Sequence, residues 1–260
     1  MTERSSANKV TRVALVTGGT RGIGRAIADA LREDGQDVYV VARRTPNGGD
    51  GRELDAGRML LGDLTEPGAA GGAVRAVLDR AGRLDVLVNN AGMQHVAPVE
   101  GYPHETWARM VALHMTAPFH AISASLGAMR KQQFGRIVNI ASVHGLVATE
   151  GKAPYSATKH GLVGLTKAVA LETANEPITC NAVCPGFVRT ALIDDQIDTL
   201  AKEHGLGRSA ATHALLKARQ PSAELVEPGA VAALVRYLCS EVARDVTGVA
   251  LPIDGGWTAR

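Results

Sequence analysis

Residues 13–16, Val13-Ala14-Leu15-Val16, are an unbroken apolar run, and the chain passes from them directly into Thr17-Gly18-Gly19-Thr20-Arg21-Gly22-Ile23-Gly24. Apolar residues then recur at helical spacing as far as Gly35. A short apolar run without polar alternation fits a strand buried on both faces, and glycines let the backbone turn sharply and come close to a neighbour. A strand that feeds through a tight turn into a helix is the unit of a parallel sheet, because parallel neighbours need a crossover and that crossover is usually a helix.

The unit recurs along the 260 residues. Further strands are expected at 38–42, 58–61, 86–88, 136–140, 178–183 and 249–253, and helices at 68–80, 106–130, 154–171 and 228–239. Residues 45–57, rich in Gly, Asp and Pro, read as a loop. The 106–130 helix carries Pro118, which cannot donate to the carbonyl four residues earlier, that of His114. Residues 191–220 form an insertion of helical character with a break at Gly205 and Gly207, suited to a mobile cover. The fold class is therefore α/β: a doubly wound parallel sheet in one domain over 1–260, without an internal repeat.

The strand ends carry the chemistry. A glycine turn opening a helix offers unpaired N–H groups and the positive end of the helix dipole to a pyrophosphate. Gly18, Gly22 and Gly24 are spaced G-x-x-x-G-x-G, not G-x-G-x-x-G. Where the second strand ends, a carboxylate would bond a ribose 2′-hydroxyl, whereas Arg43 and Arg44, with Arg21 in the turn, suit the 2′-phosphate of NADP; the alternative is that these arginines are merely solvated. Asp63 either accepts from an adenine amino group or caps the next helix. Asn89-Asn90-Ala91-Gly92 suits a loop against a flat ligand. Tyr155 and Lys159, one turn apart behind a helix-starting Pro154, share a face, and a fixed ammonium near a phenol lowers its pKa from about 10 toward that of a usable acid-base group. Ser142 and His144 follow the strand just before that helix. The net charge of +2 includes no basic block, so nucleic acid is not the expected partner. No apolar run nears the ~20 residues of a membrane span, and a polar start lacking a signal-peptide core fits a cytoplasmic protein. Cys180, Cys184 and Cys239 lack metal-ligand spacing and read as buried free thiols, and no metal is expected.

These motifs, in this order, with Pro185-Gly186 after them, resemble the short-chain dehydrogenase/reductase family over nearly the whole chain. The resemblance implies a Rossmann-type fold, hydride transfer with NAD or NADP, and Tyr155 as acid for ketone reduction and base for alcohol oxidation. Lys159 would hold the nicotinamide ribose and lower the phenol's pKa, and Ser142 would bond the substrate oxygen. Thr20, Ile23, Ala91, Asn90, Gly92 and Pro185-Gly186 would line the dinucleotide, Asp63 and Leu64 would meet adenine, and Val188 and Thr190 would meet the carboxamide. His114 falls where the family has a catalytic asparagine, whose main-chain carbonyl holds a water leading to the lysine.

Residues 93–100, 142–148 and 254–260, with Lys152 and Lys159-His160-Gly161, further resemble the branch that interconverts 3-hydroxybutyrate and acetoacetate. That resemblance gathers Gln94, His144, Lys152, Gln196 and Trp257 about a substrate carboxylate, with Phe187 in place of a tryptophan. Individually, Lys152 also reads as solvated, His144 as capping a turn and Trp257 as core. It implies a small anionic keto or hydroxy acid as substrate and a homotetramer. The alternatives are an NADPH-dependent reductase of 3-oxoacyl thioesters or other β-keto compounds, and a dinucleotide-sensing protein without turnover.

Overall fold

The apolar runs pair as seven strands: β1 (Val13–Thr17), β2 (Asp37–Ala42), β3 (Met59–Leu61), β4 (Val86–Asn89), β5 (Gly135–Ile140), β6 (Ile178–Pro185) and β7 (Ala250–Ile253). The computed structural model describes residues 10–45, 55–217 and 219–259. All pairings are parallel, in the order β3-β2-β1-β4-β5-β6-β7. The helices are α1 (Gly22–Glu33), α2 (Ala69–Ala81), α3 (His104–Val111), α4 (Ala117–Lys131), α5 (Ala153–Glu172), α6 (Ala191–His204), α7 (Arg208–Lys217) and α8 (Pro228–Cys239).

Strand periodicity sorts the core into two layers. Val13 and Leu15 of β1 join Tyr39, Leu87 and Ile137 under Val74 of α2, Ile122 of α4 and Val169 of α5. Ala14 and Val16 join Val38, Val40 and Val88 under Ile27 and Leu31 of α1 and Val235 of α8. Side chains such as Leu15, Leu31 and Leu87 have no exposed surface, and each is worth about 1.5–3 kcal/mol of burial. The chain runs outward from β1 to β2 and β3 on one side, then returns to β4 on the other. The C-terminal ends of β1 and β4 therefore flank a topological switch point, where open α/β sheets bind ligands.

Several boundaries differ from the sequence expectation. The loop at 45–57 falls mostly outside the described residues; its end, Ala56–Arg58, is a single 3-10 turn capped by Asp55, whose Oδ1 accepts from Gly57 N at 2.8 Å. β6 runs two residues further than expected because Cys184 and Pro185 pair with Pro252 and Ile253 of β7. The helix carrying Pro118 is not broken. Between α3 and α4 it becomes π-helical over Ala112–Thr116, and Ala117 N donates five residues back, to Ala112 O. Pro118 supplies no amide, and the chain passes this fault in a π-turn, a form found mostly as single turns inside α-helices and often at functional sites. The insertion forms as read, as α6 and α7 separated at Gly205 and Gly207, and packs its own small core of Ile193, Ile197, Ala211 and Leu216 on Phe187 and Trp257. No helix among the described residues is long and apolar enough to cross a membrane.

Candidate active site

The switch point is closed on one side by side-chain and backbone bonds between the β1 and β4 ends. Thr17 Oγ1 accepts from Asn90 N at 2.9 Å and Ala91 N at 3.0 Å, and Asn90 Nδ2 donates to Thr17 O at 2.9 Å. Gly18 and Gly22 hold positive φ, +65° and +53°. A β-carbon on Gly19 would stand 2.5 Å from Val40 Cγ1, and one on Gly24 would strike the Gly18 carbonyl oxygen and the Asn90 amide. The N-cap of α1, Arg21, is extended and makes no side-chain cap, and no acid lies in the first turn, so the helix presents its opening amides without an internal carboxylate. Arg21, Arg43 and Arg44 are exposed and form no ion pair among the described residues. A glycine cradle too tight for a β-carbon, an uncapped helix start and unpaired arginines in the turn and at the second strand's end together fit the phosphates of a dinucleotide.

Two adenine-side expectations take a more structural form. Asp63 Oδ1 accepts from Thr65 N at 2.9 Å and Thr65 Oγ1 at 2.8 Å, which caps the turn after β3 rather than α2, whose N-cap is Gly68, and holds its carboxyl below the usual range. Leu64 is buried in the α2-side core, so its side chain is packing material.

At the far end of the crevice, β5 and α5 deliver the polar centre. Ser142 caps a 3-10 turn: its Oγ accepts from His144 N at 3.1 Å and lies 3.4 Å from His144 Nδ1. Tyr155 stands edge-on to two imidazoles, with ring centroids 5.7 Å from His144 and 5.6 Å from His114. Burial raises the Tyr155 phenol above 10, and the Ser142 hydroxyl acts the other way. Lys159 Nζ donates to Ile140 O at 2.8 Å and sits 5.7 Å from the Tyr155 ring centroid; burial brings its ammonium down to about 8. Here the phenol is shifted by its burial and by Ser142, while Lys159 is drawn to a main-chain carbonyl. Pro185 ends β6 at this centre, and a β-carbon on Gly186 would meet Gln220 Oε1 at 2.6 Å. Val188 is buried, and Thr190 Oγ1 donates to Val188 O at 3.2 Å where α6 begins.

His114 lies inside the π-helical turn, and its buried ring joins three elements. Met93 N donates to Nε2 at 3.0 Å, so the proton sits on Nδ1, which donates to Thr158 Oγ1 at 3.0 Å. Thr158 returns its own proton to main chain, at Pro154 O (2.9 Å) or Tyr155 O (3.1 Å). Burial, then the Lys159 charge, hold His114 well below 6.5, and it is neutral. Gly161 admits this segment closely, since a β-carbon there would be 2.6 Å from Met115 Sδ. Met93 and Thr158 carry these links and were not singled out as site residues from sequence: a threonine has no spacing signature, and Met93 acts through its amide.

The expected carboxylate residues are only partly assembled. Lys152 and His144 are both buried, 6% and 3% exposed, and are close enough for the lysine charge to depress the imidazole. The Lys152 side chain has no hydrogen-bond or ion-pair partner among the described residues, and His144 Nε2 is buried without one. Burial first, then Arg219, brings Lys152 down to about 8; burial, then Lys152 and Arg219, take His144 to about 3. Trp257 stacks edge-on to His144 at 5.5 Å and against Phe187 at 4.9 Å, inside the insertion's core, so it fills core and borders the site together. Gln94 is half-buried without a bond to this group, and Gln196 is turned back on its own helix, Nε2 donating to Leu192 O at 3.3 Å. No cluster of metal-ligating side chains occurs among the described residues, and the three cysteines are free and buried.

A parallel sheet with a glycine cradle at its switch point and a tyrosine, lysine and serine at its far end defines a dinucleotide-binding oxidoreductase. The chain belongs to the short chain dehydrogenase family, whose model matches residues 12–201. It is 39% identical over 254 residues to the D-beta-hydroxybutyrate dehydrogenase of Cupriavidus necator, covering 96% of this chain and 98% of that one. Among solved structures, the ligand-free aldohexose dehydrogenase of Thermoplasma acidophilum superposes with a TM-score of 0.87 at 28% identity, covering 96% of this chain and 95% of that one. A phenylalanine-to-tryptophan variant of actinorhodin polyketide ketoreductase with NADPH gives 0.85 at 37% identity, covering 96% and 98%. The family uses NAD or NADP.

Proposed function

We propose that this enzyme interconverts a small 3-hydroxy acid and its 3-oxo acid, of the 3-hydroxybutyrate and acetoacetate type. The observation that carries this reading is Lys152: a lysine only 6% exposed with no carboxylate beside it, next to an imidazole whose Nε2 is buried and unpartnered. An uncompensated buried charge is costly, and a substrate carboxylate is the partner that removes the cost. The likeness to the Cupriavidus enzyme points the same way. NAD(P), when bound, supplies or accepts the hydride. Tyr155 gives its proton to the ketone oxygen in reduction and takes it back in oxidation, Ser142 donates to that oxygen as charge builds on it, and His144 and Lys152 hold the acid end. Helices α6 and α7 form the cover over this end. Arg21, Arg43 and Arg44 support NADP(H) as the preferred carrier.

A second reading, reduction of 3-oxoacyl thioesters, draws on the same arginines and on the ketoreductase likeness. A thioester has no free carboxylate for Lys152. Initial rates with NADH and NADPH on acetoacetate and on its thioester separate the two. Acetoacetate is expected to be reduced, and Lys152→Ala to cut its kcat/KM about 100-fold, the loss of a charge-assisted bond to a buried anion. Thioester turnover indifferent to Lys152 would establish the second reading instead.

His114 extends the relay. Its main-chain oxygen lies four residues before Pro118, in the π-helical turn, and its ring is occupied with Met93 and Thr158. The carbonyl is therefore the part left to hold a water leading toward Lys159. Pro118→Ala restores the missing amide and should lower turnover several-fold and change its pH profile. Unchanged values of both would remove His114 from the relay.

A further inference from the structure

Arg219 closes the insertion. Its amide donates to Leu216 O at 2.9 Å and the next amide to the same oxygen at 2.7 Å, ending the α7 segment. Gln220, fully buried, accepts from Phe187 N at 2.9 Å through Oε1 and donates through Nε2 to Glu224 O, which pins this backbone to the loop after β6. From that anchor the half-buried Arg219 places its guanidinium 5.9 Å from the Trp257 ring centroid, at the end of a row running Tyr155, His144, Trp257. Its side chain has no carboxylate or hydrogen-bond acceptor among the described residues. It is also near enough to Lys152 and His144 for its charge to act on both.

Two like charges brought together without an acid between them repel, and an anion between them turns repulsion into attraction. We propose that Arg219 is a second cationic ligand for the substrate's carboxylate, so that a bound acid joins Lys152 at the start of α5 to the end of the α6–α7 insertion. This rests on the substrate reading above and deepens it. A short 3-oxo acid is selected over its neutral ester because two cations on separate elements grip the free carboxylate. Since one of them belongs to the insertion, the substrate itself fastens the cover.

The test uses the whole enzyme with acetoacetate and its methyl ester. Arg219→Met is expected to raise KM for acetoacetate about 10- to 100-fold with kcat within roughly threefold, as expected for loss of a charge-assisted bond made equally in ground and transition states. The preference for acid over ester should fall by the same factor, and Arg219→Lys should recover most of it. A merely structural role would not move one further readout. In the wild type, KM for acetoacetate should rise as Lys152 loses its proton near pH 8. Arg219 acts on Lys152; Lys152, Arg219 and His160 all depress His144, and Tyr155 stands edge-on to that imidazole. Removing the Arg219 charge should displace that rise to higher pH. A wild-type enzyme without preference for the acid would overturn the substrate reading itself. A preference undiminished by Arg219→Met, with a pH limb left where it was, would overturn this inference alone.

Discussion

Tyr155→Phe is expected to reduce kcat for ketone reduction by about 10²- to 10⁴-fold while leaving KM and thermal stability nearly unchanged. The hydroxyl is the only atom removed, and the ring keeps its edge contacts with His144 and His114. The pH dependence gives the assignment a sign. Burial raises the phenol above its ordinary value, so it is protonated throughout the neutral range and ready to act as an acid. Reduction by the wild type should therefore show no loss attributable to this group between about pH 6 and 9. Alcohol oxidation needs the phenolate, and its kcat should climb over the same interval. Steady-state rates in both directions check this, and an oxidation rate that fell with pH, or a phenylalanine variant of normal turnover, would displace Tyr155 from the acid-base role.

The direction of that pH effect was not legible in the sequence, although the pair itself was. Spacing put Tyr155 and Lys159 on one helical face, and α5 keeps them there. What spacing could not give was the acceptor that Lys159 reaches, a main-chain oxygen at the end of β5, which is a tertiary contact between segments 19 residues apart. The same limit separates the readable fold from the less readable site. Alternating layers follow from β1 alone, since Val13 and Leu15 face one way and Ala14 and Val16 the other. Gln196 was placed with the carboxylate group by resemblance, but its amide is spent on its own helix. Arg219 escaped notice because nothing local marks it; its meaning comes from Trp257, far along the chain, and from Lys152 on another element. Pro118 shows the reverse. A purely local chemical fault, one missing amide, located the helix irregularity from sequence, and only its form as a π-turn awaited the structure.

Gly24→Ala should be a strongly damaging single-methyl change. Inside a helix alanine is ordinarily preferred to glycine by about 1 kcal/mol, so propensity predicts a gain. Gly24 is helical without a positive φ, and no backbone strain opposes the substitution. The opposition is steric: the added carbon runs into the Gly18 carbonyl oxygen, which is backbone, and the Asn90 side-chain amide, which two hydrogen bonds hold in place. Asn90 Nδ2 donates to Thr17 O at 2.9 Å and Gly18 O at 3.3 Å, so moving it unfastens the loop after β4 from the turn after β1. Overpacking of this kind costs about 1–3 kcal/mol, and the two weakened bonds add about 1 kcal/mol each, which outweighs the helical gain. The expected result is a melting temperature lowered by several degrees and a Kd for dinucleotide raised at least about tenfold, measured by calorimetry on the same preparation. Gly35→Ala supplies the contrast: its β-carbon meets nothing within 4 Å but its φ is +78°, so it should destabilise through strain and leave the dinucleotide Kd alone. If both variants lose affinity equally, the loss follows from general destabilisation; if only Gly24→Ala does, the closeness of β1 and β4 at their C-terminal ends is what binds the dinucleotide.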